Sequence, residues 1–130
     1  MRLWHKSIIP FLARQQLLGQ YRECCCIAKN LATKGTPNHI LVNKILDYPI
    51  GHFIKYTQLV MNEMWRRGYN ISKVSIDNFN NNMIEYCGAC TSDPNLSAED
   101  IFPEWHNDRY LRQCLANLQE KYDCEDVRCL

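Results

Sequence analysis

From Phe11 to Asn30 the chain spaces its apolar residues as an α-helix does and keeps its polar ones on the other side. At about 100° per residue, Phe11, Leu17, Leu18, Tyr21, Cys24, Cys25 and Ala28 form one broad stripe. Gln15, Gln16, Gly19, Glu23 and Cys26 fall on the opposite side, with Arg22 at its edge. A long amphipathic helix must bury its stripe against other elements, so this segment calls for a packed helical domain. Pro10 suits the first turn of such a helix, where its missing donor is not needed. Lys34-Gly35-Thr36-Pro37-Asn38 reads as the loop that follows.

Further along, a short apolar segment from His39 to Asp47 precedes Tyr48-Pro49. Gly51 to Arg67 predicts a second amphipathic helix, burying Phe53, Ile54, Leu59, Val60, Met61, Met64 and Trp65, with Gly68 placed to end it. Ser75 to about Tyr86 predicts a short helix with an Asn-rich middle of poor propensity. Cys87 to Pro94 reads as a turn or loop. Ser97 reads as a helix N-cap with Asp100 three residues on. A last long helix is expected from about Glu104 to Tyr122, carrying Tyr110, Leu111, Cys114, Leu115 and Leu118. No strand set and no internal repeat is evident. The expected fold is all-α, a single compact domain over residues 1–130 with three main helices plus short helices and loops.

The 46% apolar content is enough for a core, and no apolar run approaches the ~20 residues of a membrane span. No membrane association is expected, and the broken apolar stretch behind Met1 does not read as a signal peptide. The expected compartment is therefore the cytoplasm. Net charge is only +1, but it is unevenly placed. Met1 to Lys73 holds Arg2, Lys6, Arg14, Arg22, Lys29, Lys34, Lys44, Lys55, Arg66, Arg67 and Lys73 against Glu23, Asp47 and Glu63, while acids gather later. A basic half suits an anionic partner such as nucleic acid. Eight cysteines in a reducing compartment point to thiols or metal ligation before disulfides.

Three groups of residues stand out chemically. Glu23 shares or borders a helix face with Gln15, Gln16, Gly19 and Arg22, the makings of a polar site rather than a scattered surface. Cys87-Gly88-Ala89-Cys90 has the spacing of half a zinc site, with Cys124, Cys129 and His106 as the available further ligands. Cys24, Cys25 and Cys26 occupy successive helical positions, so their side chains diverge and cannot chelate together. Arg66 and Arg67 suit either a solvated helix end or a phosphate contact. Trp4 and His5 suit either stacking on bases or closing the core over the first helix.

The pattern Leu12-Ala13, Gln15, Leu17, Tyr21-Arg22-Glu23 resembles the first helix of the pyrimidine-dimer DNA glycosylases of the phage endonuclease V type. Arg67-Gly68-Tyr69-Asn70-Ile71 ends the second helix in a similar way, and the Met-Arg-Leu-Trp-His opening resembles an uncharacterised bacterial and phage subgroup. The resemblance implies a DNA glycosylase with AP-lyase chemistry. An N-terminal amine attacks C1′ of the damaged nucleotide and displaces the base, and β-elimination from the resulting imine cuts the strand. On this correspondence Met1 carries the amine, Glu23 is the assisting carboxylate and Arg22 its neighbour at the reaction. Arg2, Gln15, Gln16, Gly19, Arg66 and Arg67 contact the DNA. No cofactor is needed, and the implied partner is double-stranded DNA with a damaged or modified base, bound by a monomer in a bacterial or phage-infected cell. The chain departs from the family pattern at several points. Arg2 stands where a small residue is exposed after methionine removal, Leu3 replaces an arginine, and Gln16 replaces a histidine. The tail Cys124-Glu125-Asp126-Val127-Arg128-Cys129-Leu130 is acidic rather than aromatic and basic. Two other readings follow from the same residues: a catalytically silent DNA-binding module of this fold, and an interaction protein stabilised by zinc at Cys87 and Cys90.

Overall fold

The computed structural model describes residues 2–37, 39–40, 42–88 and 95–129, with side chains up to residue 123. The architecture is all-α, and no strand occurs among the described residues. A 3-10 helix, Lys6–Phe11, leads into α1 (Arg14–Lys34); a second 3-10 helix, Asn43–Asp47, precedes α2 (Gly51–Arg66). Then come α3 (Lys73–Cys87), a single 3-10 turn at Ala98–Asp100, and α4 (Asp108–Cys129).

Pro10 lies inside the first 3-10 helix rather than in the first turn of α1, and Leu12 and Ala13 are extended between the two. The break has a packing cause. On one continuous helix Leu12 would sit within about 20° of Glu23, on the polar face. The interruption turns Leu12 inward to 2% exposure beside Ile8 and Ile9, and leaves Phe11, expected in the core, 76% exposed. α1 then buries Leu17, Tyr21, Cys24, Ile27, Ala28 and Leu31, and ends where Gly35 takes up φ 72° and returns its N–H to the Leu31 carbonyl.

α2 buries Phe53, Ile54, Tyr56, Val60, Met61 and Met64. Its end is a paired-bond cap: Gly68 N–H donates to the Trp65 carbonyl (2.9 Å) and Tyr69 N–H to that of Met64 (2.9 Å). Gly68 holds φ 82° there, a conformation that costs a side-chain-bearing residue and not glycine. Trp65, expected in the core, is 48% exposed because it lies on the solvent side of the last turn.

The helix expected from Ser75 to Tyr86 is longer, Lys73–Cys87, and packs along α1. Ser72 caps it by accepting the Ser75 N–H (3.1 Å), and Phe79 and Met83 anchor it one turn apart. Tertiary burial of that pair offsets the weak propensity of the Asn-rich turn. Ser97 does bond Asp100, but the helix it starts is one 3-10 turn. α4 begins at Asp108, four residues later than expected, because Asn107 Oδ1 accepts the Tyr110 N–H (2.9 Å) and Phe102 is buried with φ 49°. Its Cys114 and Leu118 are buried as expected, whereas Leu115 is half exposed.

Among the described residues no helix is long and apolar enough to cross a membrane.

Candidate active site

The start of the described chain lies directly over α1. Arg2 N–H donates to Glu23 Oε2 at 3.0 Å, so the sequence-predicted carboxylate holds the first described backbone nitrogen. Met1, the expected amine bearer, lies outside the described residues. Glu23 is half-buried: one side faces Arg2 and Gln20, and the rest faces solvent.

Gln20 stands one helical turn before Glu23 and is 1% exposed. Its amide is fully engaged. Nε2 donates to the Arg2 carbonyl (2.9 Å) and lies 3.4 Å from Glu23 Oε2, while Oε1 accepts the Trp4 N–H (2.7 Å). The Tyr56 hydroxyl is 2.5 Å from the Trp4 carbonyl and 3.1 Å from Gln20 Oε1; having one proton, it donates along the shorter path to the carbonyl. Tyr110 donates its hydroxyl to the Leu3 carbonyl (2.6 Å) from α4. Side chains of α1, α2 and α4 therefore satisfy the backbone of residues 2–4 as a sheet partner would. Sequence reading missed Gln20, Tyr56 and Tyr110 in this role. Gln20 alone left a signal, a polar residue three before Glu23 on a helix.

Below this clamp lies an aromatic floor. Trp4 and His5 are buried, which resolves their alternatives in favour of closing the core. His5 Nδ1 accepts the Ser7 N–H (3.1 Å), so Nε2 carries the proton and donates to the His106 carbonyl (2.9 Å). His106 Nδ1 accepts the Lys6 N–H (3.0 Å), which puts its proton on Nε2, and that atom is buried with no partner among the described residues. Burial, with His5 and Lys6 nearby, pushes the His106 pKa down to about 2, and burial also lowers that of His5. Both rings are neutral at physiological pH. The Lys6 ammonium is occupied by the carbonyls of Glu99 (2.5 Å) and Ile101 (2.6 Å).

On the solvent side, Gln15 and Arg22 are exposed, and Gly19 is half-buried between Gln16 and Arg22 along the helix. A Cβ on Gly19 would first meet the Arg22 guanidinium, 4.0 Å away, so Arg22 reaches back across the glycine. Gln16 buries its Oε1 without a partner among the described residues. The Arg2 guanidinium lies 5.4 Å from the centre of the Trp4 ring, beside the clamp. Away from Glu23, a groove of about 690 Å³ runs between α1 and α3, lined on its polar side by Lys29, Thr33, Asn78, Asn81 and Asn82.

Arg66 and Arg67 sit at the far end of α2, and both are held by the buried carboxylate of Glu63. Arg67 also donates to the Pro10 carbonyl (3.0 Å), tying α2 to the first 3-10 helix; its guanidinium is spent inside the fold. Arg66 is largely exposed. The bonds from Arg66, then Arg67, hold the Glu63 carboxyl below its ordinary pKa. Cys87 ends α3, with its thiol on the Met83 carbonyl (3.1 Å); Cys90 lies outside the described residues. No cluster of three or more metal-binding side chains occurs among the described residues. Of the cysteine run, Cys24 is buried and Cys26 exposed as expected, whereas Cys25, expected on the core side, is half-buried.

The family model described as pyrimidine dimer DNA glycosylase matches residues 1–77, more than half of the chain. That span holds Glu23, Arg22, Gln20 and Tyr56 but ends before His106 and Tyr110. No curated protein and no solved structure matches.

Proposed function

Because this chain belongs to the pyrimidine dimer DNA glycosylase family, we propose that it cleaves the N-glycosidic bond of a damaged or modified base in double-stranded DNA, using an amine at the chain start. The observation that carries the reading is the 3.0 Å bond from Glu23 to Arg2 N: the chain start and the one carboxylate of the polar α1 face share a site. On this reading the Met1 amine bonds to C1′ as the C1′–N bond breaks and the base leaves. An α-amino pKa near ~8 leaves a useful neutral fraction for that attack. Glu23 stabilises the cationic sugar and moves protons as the imine forms. β-Elimination then breaks the C3′–O bond, which is the AP-lyase step. Arg22, exposed and reaching over Gly19, meets a phosphate at the reaction, and Arg2, Gln15 and Gln16 position the nucleotide. Arg66 contributes a peripheral phosphate contact; Arg67 acts through the fold instead. The protein works as a monomer and without a cofactor.

One observation favours a second reading, the silent DNA-binding module. The nitrogen that Glu23 holds is a peptide nitrogen, which is not nucleophilic. Borohydride trapping on duplex DNA with an abasic site, followed by peptide mapping, separates the two. An adduct on Met1 is the expected result. An adduct on Arg2 would move the amine to the nitrogen already beside Glu23. Salt-dependent binding with no adduct would leave the silent module standing. Glu23→Gln is expected to abolish turnover with the fold intact; near-normal cleavage by that variant would sink the assignment.

A further inference from the structure

We infer that Gln20 is a positioning residue: its side-chain amide locks residues 2–4 against α1 and thereby sets the distance between the chain start and Glu23. The inference rests on the glycosylase reading above. Gln20 cannot touch DNA, since it is 1% exposed, and its two shortest hydrogen bonds are to the backbone of Arg2 and Trp4. One nitrogen reaches both the Arg2 carbonyl (2.9 Å) and Glu23 (3.4 Å). The oxygen takes the Trp4 N–H (2.7 Å), so the one side-chain amide bonds a backbone acceptor and a backbone donor two residues apart. Tyr56 and Tyr110 close the remaining carbonyls of Trp4 and Leu3, and each comes from a different helix. A chain start would ordinarily fray; here the hydrogen bonds described for residues 2–4 end on residues of α1, α2 and α4.

An α-amine at the head of this segment is useful only if it meets C1′ while Glu23 is in reach, and small misplacements cost rate steeply. Gln20 therefore works through Arg2 and Glu23, without contact to the reacting atoms.

The test is Gln20→Glu. The new carboxylate keeps the size and the acceptor for Trp4 N–H, but it loses the donor to the Arg2 carbonyl and faces that carbonyl and Glu23 with like charge. Wild-type protein is first trapped with borohydride on abasic duplex DNA. The variant is then compared for trapping rate, kcat, KM, DNA affinity and thermal midpoint. The expected result is a fall of about ten- to a hundredfold in trapping rate and kcat, with KM and DNA affinity unchanged. A purely structural residue would lower the midpoint without that split. Tyr56→Phe, which keeps the core ring and removes the bond to the Trp4 carbonyl, is expected to act in the same direction and more weakly. Trapping by folded Gln20→Glu at the wild-type rate would overturn the inference while leaving the glycosylase reading intact. Absence of any adduct with wild-type protein would remove that reading, and the positioning role with it.

Discussion

At the scale of single residues, the molecule separates arginines that are free to meet a phosphate from one that is not. Arg22 is exposed, with no ion pair among the described residues, and reaches across Gly19. Arg67 is only 17% exposed and holds Glu63 and Pro10. Arg22→Ala is expected to weaken duplex binding and to reduce its salt slope by about one, with the melting temperature unchanged. Arg67→Ala is expected to do the reverse, lowering the melting temperature and leaving the salt slope alone. Binding isotherms at several salt concentrations, read beside thermal melts, check both. An unchanged salt slope for Arg22→Ala would remove it from the interface. Sequence reading gave Arg22 a place at the reaction and Arg67 a DNA contact, both as cations of a basic half turned toward DNA. What divides them is a buried carboxylate one turn earlier and a carbonyl 57 positions away.

At the scale of elements, local grammar set most of the helices and tertiary burial moved their ends. Gly68 closes α2 as its position suggested, and the space around it is open, so an added side chain meets only backbone strain. Gly68→Ala is expected to destabilise the fold by about 1–2 kcal/mol, measured by urea unfolding; no change would mean that the turn relaxes to another cap. The first 3-10 helix shows the opposite case. Pro10 tolerates a helix start, but burying Ile8, Ile9 and Leu12 together requires a break before Arg14. α3 exceeds its local propensity because it packs along α1 and buries Met83 and Phe79, the latter with its ring 5.9 Å from that of Phe53.

At the scale of the whole molecule, the aromatic floor joins the chain start to the segment before α4 and makes stability depend on pH. His106 is neutral in the fold down to about pH 2, whereas in the unfolded chain it takes a proton near its ordinary value of 6.5. The unfolded state therefore binds more protons between those values. The stabilising contribution is complete above 6.5 and is lost as pH falls below it, with a slope approaching about 1.4 kcal/mol per pH unit for one proton. His5, lowered by burial, adds in the same direction. Urea unfolding at about pH 7 and about pH 5 is expected to show the loss. His106→Asn, whose carbonyl can still accept the Lys6 N–H, is expected to flatten the dependence. Equal stability at both pH values in the wild-type protein would mean that His106 opens to solvent before it titrates.

The all-α class, the α1 stripe, the end of α2 at Gly68 and the polar face bearing Glu23 are properties of the sequence by itself. Each is written in residues a few positions apart, at the period of a helix or the chemistry of one turn. Local order also holds Gln20 and Glu23 one turn apart, but nothing in it says what Gln20 bonds. Only the tertiary structure decided that Arg2 meets Glu23, that Tyr56 and Tyr110 complete the clamp, and that Arg67 belongs to the scaffold. Tyr110 lies 107 positions from the carbonyl it holds and Tyr56 lies 52 from its own. Contacts of that range exist only once the core has closed around Leu3 and Trp4, because burying those backbone groups is what makes a partner for each of them obligatory.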